Sequence, residues 1–118
     1  MEPEQTTPLT GRRVLIVEDE YLIADDLQRV LHAQGAAVAG PVAEVAEALA
    51  LIAGPDRIDG VVLDINLGGE VADALVRRGV PFVFATGYDW GTIPPRFAEI
   101  VHCEKPVEPD CVVRALFG

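Results

Sequence analysis

The chain contains little sulfur, few aromatic side chains and few basic residues. Its 118 residues include two cysteines, one tryptophan, and nine Lys or Arg against nineteen Asp or Glu, for a formal net charge of −10. Such an acidic surface repels nucleic acid and anionic lipid, so we expect neither DNA nor membrane binding. Cys103 and Cys111 have no His or Cys partner at metal-binding spacing, and we expect free thiols in a reducing compartment.

Long apolar runs and a leader pattern are also missing. No run approaches the roughly 20 residues that cross a bilayer, and the first ten residues are polar and acidic rather than basic and then apolar. We therefore expect a cytoplasmic protein. Half of the residues are hydrophobic, which suits one domain with a core, while the length is too short for two. We predict a flexible tail over residues 1–10 and one domain over residues 11–118.

Short apolar runs rich in Val, Ile and Phe alternate with segments of helical spacing, which predicts an α/β fold. The predicted strands cover residues 13–17, 36–39, 60–64, 81–85 and 100–103. The predicted helices stop at Gly35, Gly54 and Gly79, and the last one starts at Pro109. Between Thr86 and Ala98, two glycines and two prolines oppose a helix. We expect the fourth helix to be short or disordered.

Side chains with useful chemistry stand where four of the five apolar runs end. Glu18 and Asp19 follow the first run, Asp64 ends the third, Thr86 follows the fourth and Lys105 follows the fifth. Taken singly, each has an ordinary explanation as a turn cap, a helix-start charge, a strand residue or a solvated turn residue. Parallel strands bring their carboxyl ends to one edge, where open α/β folds bind ligands. The coincidence of these side chains at four strand ends therefore favours one shared site.

Three carboxylates in one crevice repel each other unless a cation lies among them. A hard ion such as Mg²⁺ (or Mn²⁺), held by one or two carboxylates and several waters, suits such a site. Together with an ammonium group and a hydroxyl, the ion can stabilise a phosphoryl group that is being transferred to a carboxylate. The strand before Asp64 is almost wholly apolar, as a buried central strand would be. Asp64 is therefore the predicted phosphoacceptor.

The order of these residues over 12–117 resembles the receiver domains of response regulators in two-component signalling. The resemblance implies a flavodoxin-like, doubly wound five-stranded parallel sheet in the order 2-1-3-4-5. It also implies a metal site formed by Glu18, Asp19, Asp64 and the backbone carbonyl of Asn66. By the same resemblance, Asp64 is phosphorylated, Thr86 is the switch hydroxyl and Lys105 pairs with the phosphoryl oxygens.

Further positions match the same family pattern. Gly87 corresponds to the small residue that leaves access to Asp64, and Pro106 to the proline after the lysine, often preceded by a cis peptide bond. We expect the side chains of Asn66 and Tyr88 to tune the lifetime of the acyl phosphate. The segment 84–88 resembles the Phe-Ala-Thr-Gly-Tyr signature of an atypical, usually single-domain alphaproteobacterial group. His102 stands where most receivers have Tyr or Phe, so the chain departs from the family pattern at the aromatic switch position.

The resemblance implies a phosphorelay protein that takes a phosphoryl group from a histidine kinase or a histidine phosphotransfer protein. It would act as a single-domain response regulator, either as a phosphate sink or as an adaptor for a downstream partner. No enzyme activity is expected beyond catalysis of its own phosphorylation and dephosphorylation. Two alternatives stay open: an interaction module of receiver fold in which phosphorylation is little used, and a receiver fragment of a larger hybrid kinase.

Other phosphate-handling classes fit poorly. A dinucleotide-binding domain or a flavodoxin-like electron carrier needs a glycine- or hydroxyl-rich turn after its first strand, where this chain has Glu18, Asp19 and Glu20. A haloacid-type phosphatase needs a second aspartate two residues after its nucleophile, where this chain has Asn66.

Overall fold

A parallel sheet with helices on both faces makes up the computed structural model, which describes residues 9–87, 95–97 and 99–117. The strands are β1 (Arg13–Val17), β2 (Ala37–Val42), β3 (Gly60–Asp64), β4 (Phe82–Thr86) and β5 (His102–Glu104). The helices are α1 (Tyr21–Ala33), α2 (Val45–Ala53), α3 (Gly68–Arg78) and α4 (Pro109–Phe117). In the described ranges, short 3₁₀ turns also cover Ile65–Leu67 and Pro95–Phe97.

The strand order is β2-β1-β3-β4-β5, and all four neighbouring pairs are parallel. The predicted flavodoxin-like fold and its order 2-1-3-4-5 are therefore confirmed. All residues of β3 and β4 are buried, as expected for central strands that are covered on both faces. Among the described residues, no helix has both the length and the apolar character needed to cross a membrane.

Alternating side chains of the strands feed two apolar clusters, one on each face of the sheet. Val14 and Ile16 of β1 join the cluster that contains buried residues of α1 and α4. Leu15 and Val17 join the cluster that contains buried residues of α2 and α3. The sheet is thus held between two helical layers, which leaves the carboxyl ends of its strands free to carry polar side chains.

The first described residue is packed more tightly than the predicted flexible tail over residues 1–10 implies. Leu9, placed in the predicted tail, is fully buried in the core, and its N–H donates to the carbonyl of Gln34 at 2.8 Å. Residues 1–8 lie outside the described residues, so the flexible tail stays a prediction for them.

The sequence predicted a further helix, short or disordered, between Thr86 and Ala98, and this helix is distinct from α4. It falls largely on residues 88–94, which also lie outside the described residues.

The prediction that Cys103 and Cys111 are free thiols is wrong, because the structure joins them by a disulfide bond. Cys103 lies in β5 and Cys111 in the first turn of α4. The chain reverses between the two elements and brings their Cα atoms within 6.1 Å, a separation that a disulfide can span. Spacing along the sequence does not reveal this proximity, because it depends on how α4 packs back against β5.

An irregularity near the end of β2 supports the edge of the sheet that carries the acidic residues. The backbone of Gly40 has φ +82°, a conformation that favours glycine. Beyond it, the carbonyl of Val42 accepts a hydrogen bond from the N–H of Glu18 at 2.9 Å. A Cβ at Gly40 would lie 2.9 Å from the Ile16 carbonyl oxygen and 2.8 Å from the Val42 nitrogen. A side chain there would displace the backbone that holds Glu18.

We predict that Gly40→Ala lowers the free energy of unfolding by about 1–3 kcal/mol, because it combines positive-φ strain with two backbone clashes. Urea unfolding measures the change. Gly69→Ala is the matched control, since a Cβ at this exposed helical position meets no atom within 4 Å and alanine favours a helix. Equal midpoints for the two variants would contradict the prediction.

Candidate functional site

The carboxyl ends of β1 and β3 bring three acidic side chains together. Glu18, Asp19 and Asp64 each offer a carboxylate oxygen, and these oxygens all lie within 4.8 Å of one another. Glu18 and Asp64 are each only 2% exposed, whereas Asp19 is exposed to solvent. Because β1 and β3 are neighbours in the sheet, the strand ends converge as the sequence indicated. The result is a partly buried acidic cluster, here named the acidic edge.

Lys105 provides the cation of the acidic edge, and it is the only lysine of the chain. Its Nζ lies 3.0 Å from Glu18 Oε1, 3.5 Å from Asp64 Oδ1 and 4.0 Å from Glu20 Oε1. Its backbone N–H donates to the carbonyl of Thr86 at 2.8 Å, which ties the segment after β5 to the end of β4. Within the described part of the chain, one ammonium group therefore faces three carboxylates, and negative charge is in excess there.

The ionisation of Glu18 and Lys105 reflects this crowding. Burial raises the pKa of Glu18, and the Asp64 carboxylate acts in the same direction, while hydrogen bonds from Lys105 and from the N–H of Glu20 oppose the rise. For Lys105, burial lowers the pKa, but the hydrogen bond to Glu18 and the charges of Asp64, Glu18 and Glu20 outweigh it. The pKa of Lys105 is therefore raised. The lysine stays charged at neutral pH, whereas Glu18 holds its proton more tightly than an exposed Glu does.

Thr86 lies at the same edge, at the end of β4. Asp64 pairs in register with Ala85, so Thr86 stands one residue beyond it. The residue is 1% exposed, and its hydroxyl has no hydrogen-bond partner within the described part of the chain. A buried hydroxyl without a partner is unfavourable. An oxygen-rich group bound at this edge would supply the acceptor that the hydroxyl lacks.

The remaining predicted site residues are placed as follows. The N–H of Asn66, in the turn after β3, donates to Asp64 Oδ1 at 3.1 Å, and the metal role of its carbonyl stays a prediction. Gly87 is exposed, with no atom within 4 Å of a Cβ built on it. Pro106 is preceded by the expected cis peptide bond. Tyr88 lies outside the described residues.

His102 occupies the strand position at which the resemblance implied an aromatic switch residue. Its ring lies 5.7 Å from that of Phe84, at an interplanar angle of 61°. Burial lowers the pKa of His102, which favours a neutral imidazole at neutral pH. The neutral ring therefore packs edge-on against an aromatic neighbour, as an uncharged aromatic side chain would.

Glu20 lies beside the acidic edge, although the sequence analysis used it only as evidence against a dinucleotide- or flavin-binding turn. Its N–H donates to Glu18 Oε2 at 3.1 Å, and its carboxylate is the third one within 4.0 Å of Lys105 Nζ. The available signal was the run of three acidic residues directly after β1. The backbone of Glu20 thus helps to orient Glu18, while its side chain adds negative charge beside the lysine.

The acidic edge fits the magnesium ion that the resemblance implied. Its ligands are carboxylate oxygens, which hard divalent cations prefer. The cluster Glu18, Asp19 and Asp64 places these oxygens within 4.8 Å, and one lysine does not balance their charge. A divalent cation would relieve the repulsion that contributes to the raised pKa of Glu18. The donor set and the charge therefore both support a cation site.

The raised pKa of Glu18 predicts how stability depends on pH in the absence of metal. The native protein holds this proton more tightly than an unfolded chain, whose Glu titrates near 4.5. The free energy of unfolding therefore declines as the pH rises from 4.5 through the pKa of Glu18 in the native protein. Lys105 adds no slope in this range, because its pKa lies above the ordinary 10.5. We expect a weaker decline in Glu18→Gln and in wild type with Mg²⁺, which favours the ionised carboxylate.

Urea unfolding from about pH 4 to pH 8, with EDTA or with Mg²⁺, measures this dependence. Glu47→Gln is the control, because Glu47 is an exposed carboxylate of α2, distant in sequence from the acidic edge. The Glu47→Gln variant should keep the wild-type dependence of the free energy of unfolding on pH. Equal slopes for wild type and Glu18→Gln in EDTA would show that Glu18 does not carry the effect.

Comparison with known proteins gives close structural relatives. No protein-family model matches the chain. The chain is similar to SdrG from Sphingomonas melonis Fr1, with 40% identity and a TM-score of 0.78, over 93% of this chain and 95% of SdrG. It is also similar to SdrG from Pseudomonas melonis Fr1 in its BeF3-activated conformation, with 43% identity and a TM-score of 0.70, over 88% of this chain and 92% of that one.

Longer proteins match over only part of their length. The response regulator PhyR from Brucella abortus is 30% identical, with a TM-score of 0.69, over 93% of this chain but 50% of PhyR. The uncharacterised transcriptional regulatory protein YbdJ of Bacillus subtilis (strain 168) is 33% identical over an alignment of 82 residues that covers 64% of this chain. The match spans 35% of YbdJ, about a third of that relative. With the fold and the acidic edge, these similarities show that the chain belongs to the response regulator receiver family.

Proposed function

We propose that the chain is a phosphoacceptor of a two-component phosphorelay, phosphorylated on Asp64 in a Mg²⁺-dependent step. The observation that carries this proposal is the position of Lys105, with its Nζ 3.0 Å from Glu18 and 3.5 Å from Asp64 at an edge with excess negative charge. A buried carboxylate, a cation site and an ammonium group are the parts that phosphoryl transfer to a carboxylate requires.

The donor in this proposal is a phosphohistidine of a histidine kinase or of a histidine phosphotransfer protein. An oxygen of Asp64 forms a bond to phosphorus while the bond between phosphorus and the donor imidazole nitrogen breaks. The electron pair of that bond stays on the imidazole, which takes up a proton. Bound Mg²⁺ would supply charge neutralisation at the phosphoryl oxygens. Glu18, Asp19, Asp64 and the Asn66 carbonyl would hold it.

The residues opposite the carboxylates act on the transferred group. Lys105 pairs most closely with Glu18 in this structure, and a cation bound by the carboxylates would free its ammonium group to pair with a phosphoryl oxygen. The Thr86 hydroxyl, buried without a partner among the described residues, would donate a hydrogen bond to another phosphoryl oxygen. Both contacts would form only once the group is attached, so they favour the phosphorylated state.

SdrG has a BeF3-activated conformation, and we propose that this chain has an activated conformation as well. Its similarity over 95% of SdrG supports a single-domain response regulator in the cytoplasm, acting as a phosphate sink or as an adaptor. We assign it no outside substrate, only catalysis of its own phosphorylation and dephosphorylation. The atypical group indicated by residues 84–88 stays a prediction.

A second candidate is a receiver module within a longer protein. PhyR, of which this chain covers 50%, supports that arrangement. In both candidates the acidic edge has the same chemistry, and they differ in the partner that reads the phosphorylated state. A sink hydrolyses its acyl phosphate quickly, whereas an adaptor or a module of a larger regulator gains affinity for a partner when it is phosphorylated.

We predict that Asp64→Asn abolishes phosphoryl uptake and leaves the fold intact, because the amide cannot act as the nucleophile. Transfer of radiolabelled phosphoryl groups from a phosphorylated kinase, with Mg²⁺ present, measures the uptake. Asp56→Asn is the control and should be labelled like wild type, since Asp56 is an exposed residue before β3. Label retained by Asp64→Asn on another residue would reject the assignment.

We predict that Asp19→Ala raises the Mg²⁺ concentration needed for half-maximal labelling at least about tenfold, as expected when a charged ligand contributing about 1.4 kcal/mol is lost. A Mg²⁺ titration of the initial labelling rate measures the shift. Glu47→Ala removes an exposed carboxylate outside the acidic edge and should leave the titration unchanged. Superimposable curves for wild type and Asp19→Ala would count against a metal role for Asp19.

A further inference from the structure

The disulfide bond encloses the chain segment that carries Lys105. Cys103 in β5 and Cys111 in α4 are eight residues apart, with their Cα atoms at 6.1 Å, and the covalent ring they close contains Lys105, Pro106 and Val107. Lys105 lies two residues beyond Cys103, and its N–H donates to the Thr86 carbonyl. The disulfide therefore ties β5 to α4 on either side of the segment that carries Lys105.

The two cysteines differ in their access to solvent. Cys103 is 1% exposed and belongs to the apolar cluster shared by α1 and α4. Cys111 is half-buried and packs against the same cluster from the first turn of α4. Access controls which sulfur reacts in thiol–disulfide exchange. Cys111 is therefore the more accessible of the two sulfurs to a small thiol.

We propose that Cys103 and Cys111 form a reversible redox pair that controls how firmly the Lys105 segment is held. The consequence for phosphoryl acceptance rests on the proposed function of Asp64. Disulfides in reducing compartments are mostly transient and used in redox sensing or catalysis, and we place this chain in the cytoplasm. The chemical partner is a low-molecular-weight thiol together with its disulfide.

Reduction consumes two molecules of the small thiol. The first thiolate attacks Sγ of Cys111, the protein S–S bond breaks, and its electron pair stays on Sγ of Cys103, which takes up a proton. A second thiolate attacks the outer sulfur of the mixed disulfide on Cys111, releasing the Cys111 thiolate and one molecule of small disulfide. Oxidation is the reverse, with the small disulfide accepting the two electrons.

Opening the ring weakens the restraint on Lys105 without removing every contact. The hydrogen bond to the Thr86 carbonyl and the buried side chain of Val107, 5% exposed, still hold the segment in the reduced protein. The placement of the ammonium group nevertheless becomes less restricted, and catalytic contacts are sensitive to small displacements. The oxidised form therefore accepts phosphoryl groups faster than the reduced form, by about fivefold, a typical size for coupling between sites.

The first measurement tests the redox pair without reference to phosphorylation. Wild-type protein is equilibrated with graded ratios of reduced to oxidised glutathione, its free thiols are alkylated, and the adducts are counted by mass spectrometry. We expect a transition from an unmodified protein to one alkylated at both cysteines. Two free thiols in the most oxidising buffer, or a bond that persists in the most reducing one, would overturn the proposal.

The second measurement tests the coupling to Lys105. Hydrogen exchange of the Lys105 amide, followed by NMR, should be about tenfold faster in the reduced protein, because the segment opens locally more often. The Cys111→Ser variant is expected to exchange like reduced wild type in both redox buffers. If the serine perturbs the packing, Cys111→Ala serves as the second variant, with the same expected result. Equal exchange in the two redox states of wild type would reject the coupling.

The third measurement joins this proposal to the proposed function. The initial rate of phosphoryl labelling should fall about fivefold on reduction of wild type and should not respond to redox buffer in Cys111→Ser. Equal rates in the two wild-type forms would reject the effect on phosphoryl acceptance. Absence of label in both forms would instead refute the proposed function, and hydrogen exchange would still decide whether the disulfide controls the Lys105 segment.

Discussion

The uneven charge balance at the carboxyl edge of the sheet is the constraint on which the site depends. Glu18 and Asp64 are almost fully buried, Asp19 lies beside them, and Lys105 is the counter-ion they share. Buried carboxylates are unfavourable unless opposite charge or hydrogen bonds compensate them. The wholly buried strands β3 and β4 supply the apolar core that keeps the carboxylates together. Burial of apolar side chains in the core thus stabilises a fold in which the carboxylates are already close enough to bind a cation.

Much of the fold and of the acidic edge was predictable, because both follow from local patterns. Alternating apolar runs and helical segments predicted the strands to within three residues of their observed ends. Gly79, with φ +70°, ends α3 in the left-handed conformation expected of a glycine at that position. The convergence of Glu18, Asp64 and Lys105 followed from one rule, that the carboxyl ends of parallel strands share an edge.

The features that sequence analysis missed depend on distances between elements. The pairing of Cys103 with Cys111 is set by how α4 turns back onto β5, and no local period encodes that turn. Leu9 is buried against the end of α1, although the stretch of residues 1–10 that contains it is largely polar. The contact of Glu20 with Lys105 required the relative position of two strand ends. In each case, packing in three dimensions decided the role of a residue that the local sequence left ambiguous.

The single lysine side chain among 118 residues also provides a probe of the charge at the acidic edge. An amine-directed reagent has, apart from the chain terminus, one target, and that side chain is 13% exposed, between Glu18 and Asp64. The surrounding carboxylates raise its pKa and so keep it protonated and poorly nucleophilic. Any event that draws those carboxylates away increases the fraction of free amine. The reactivity of one side chain therefore reports the electrostatic state of the whole edge.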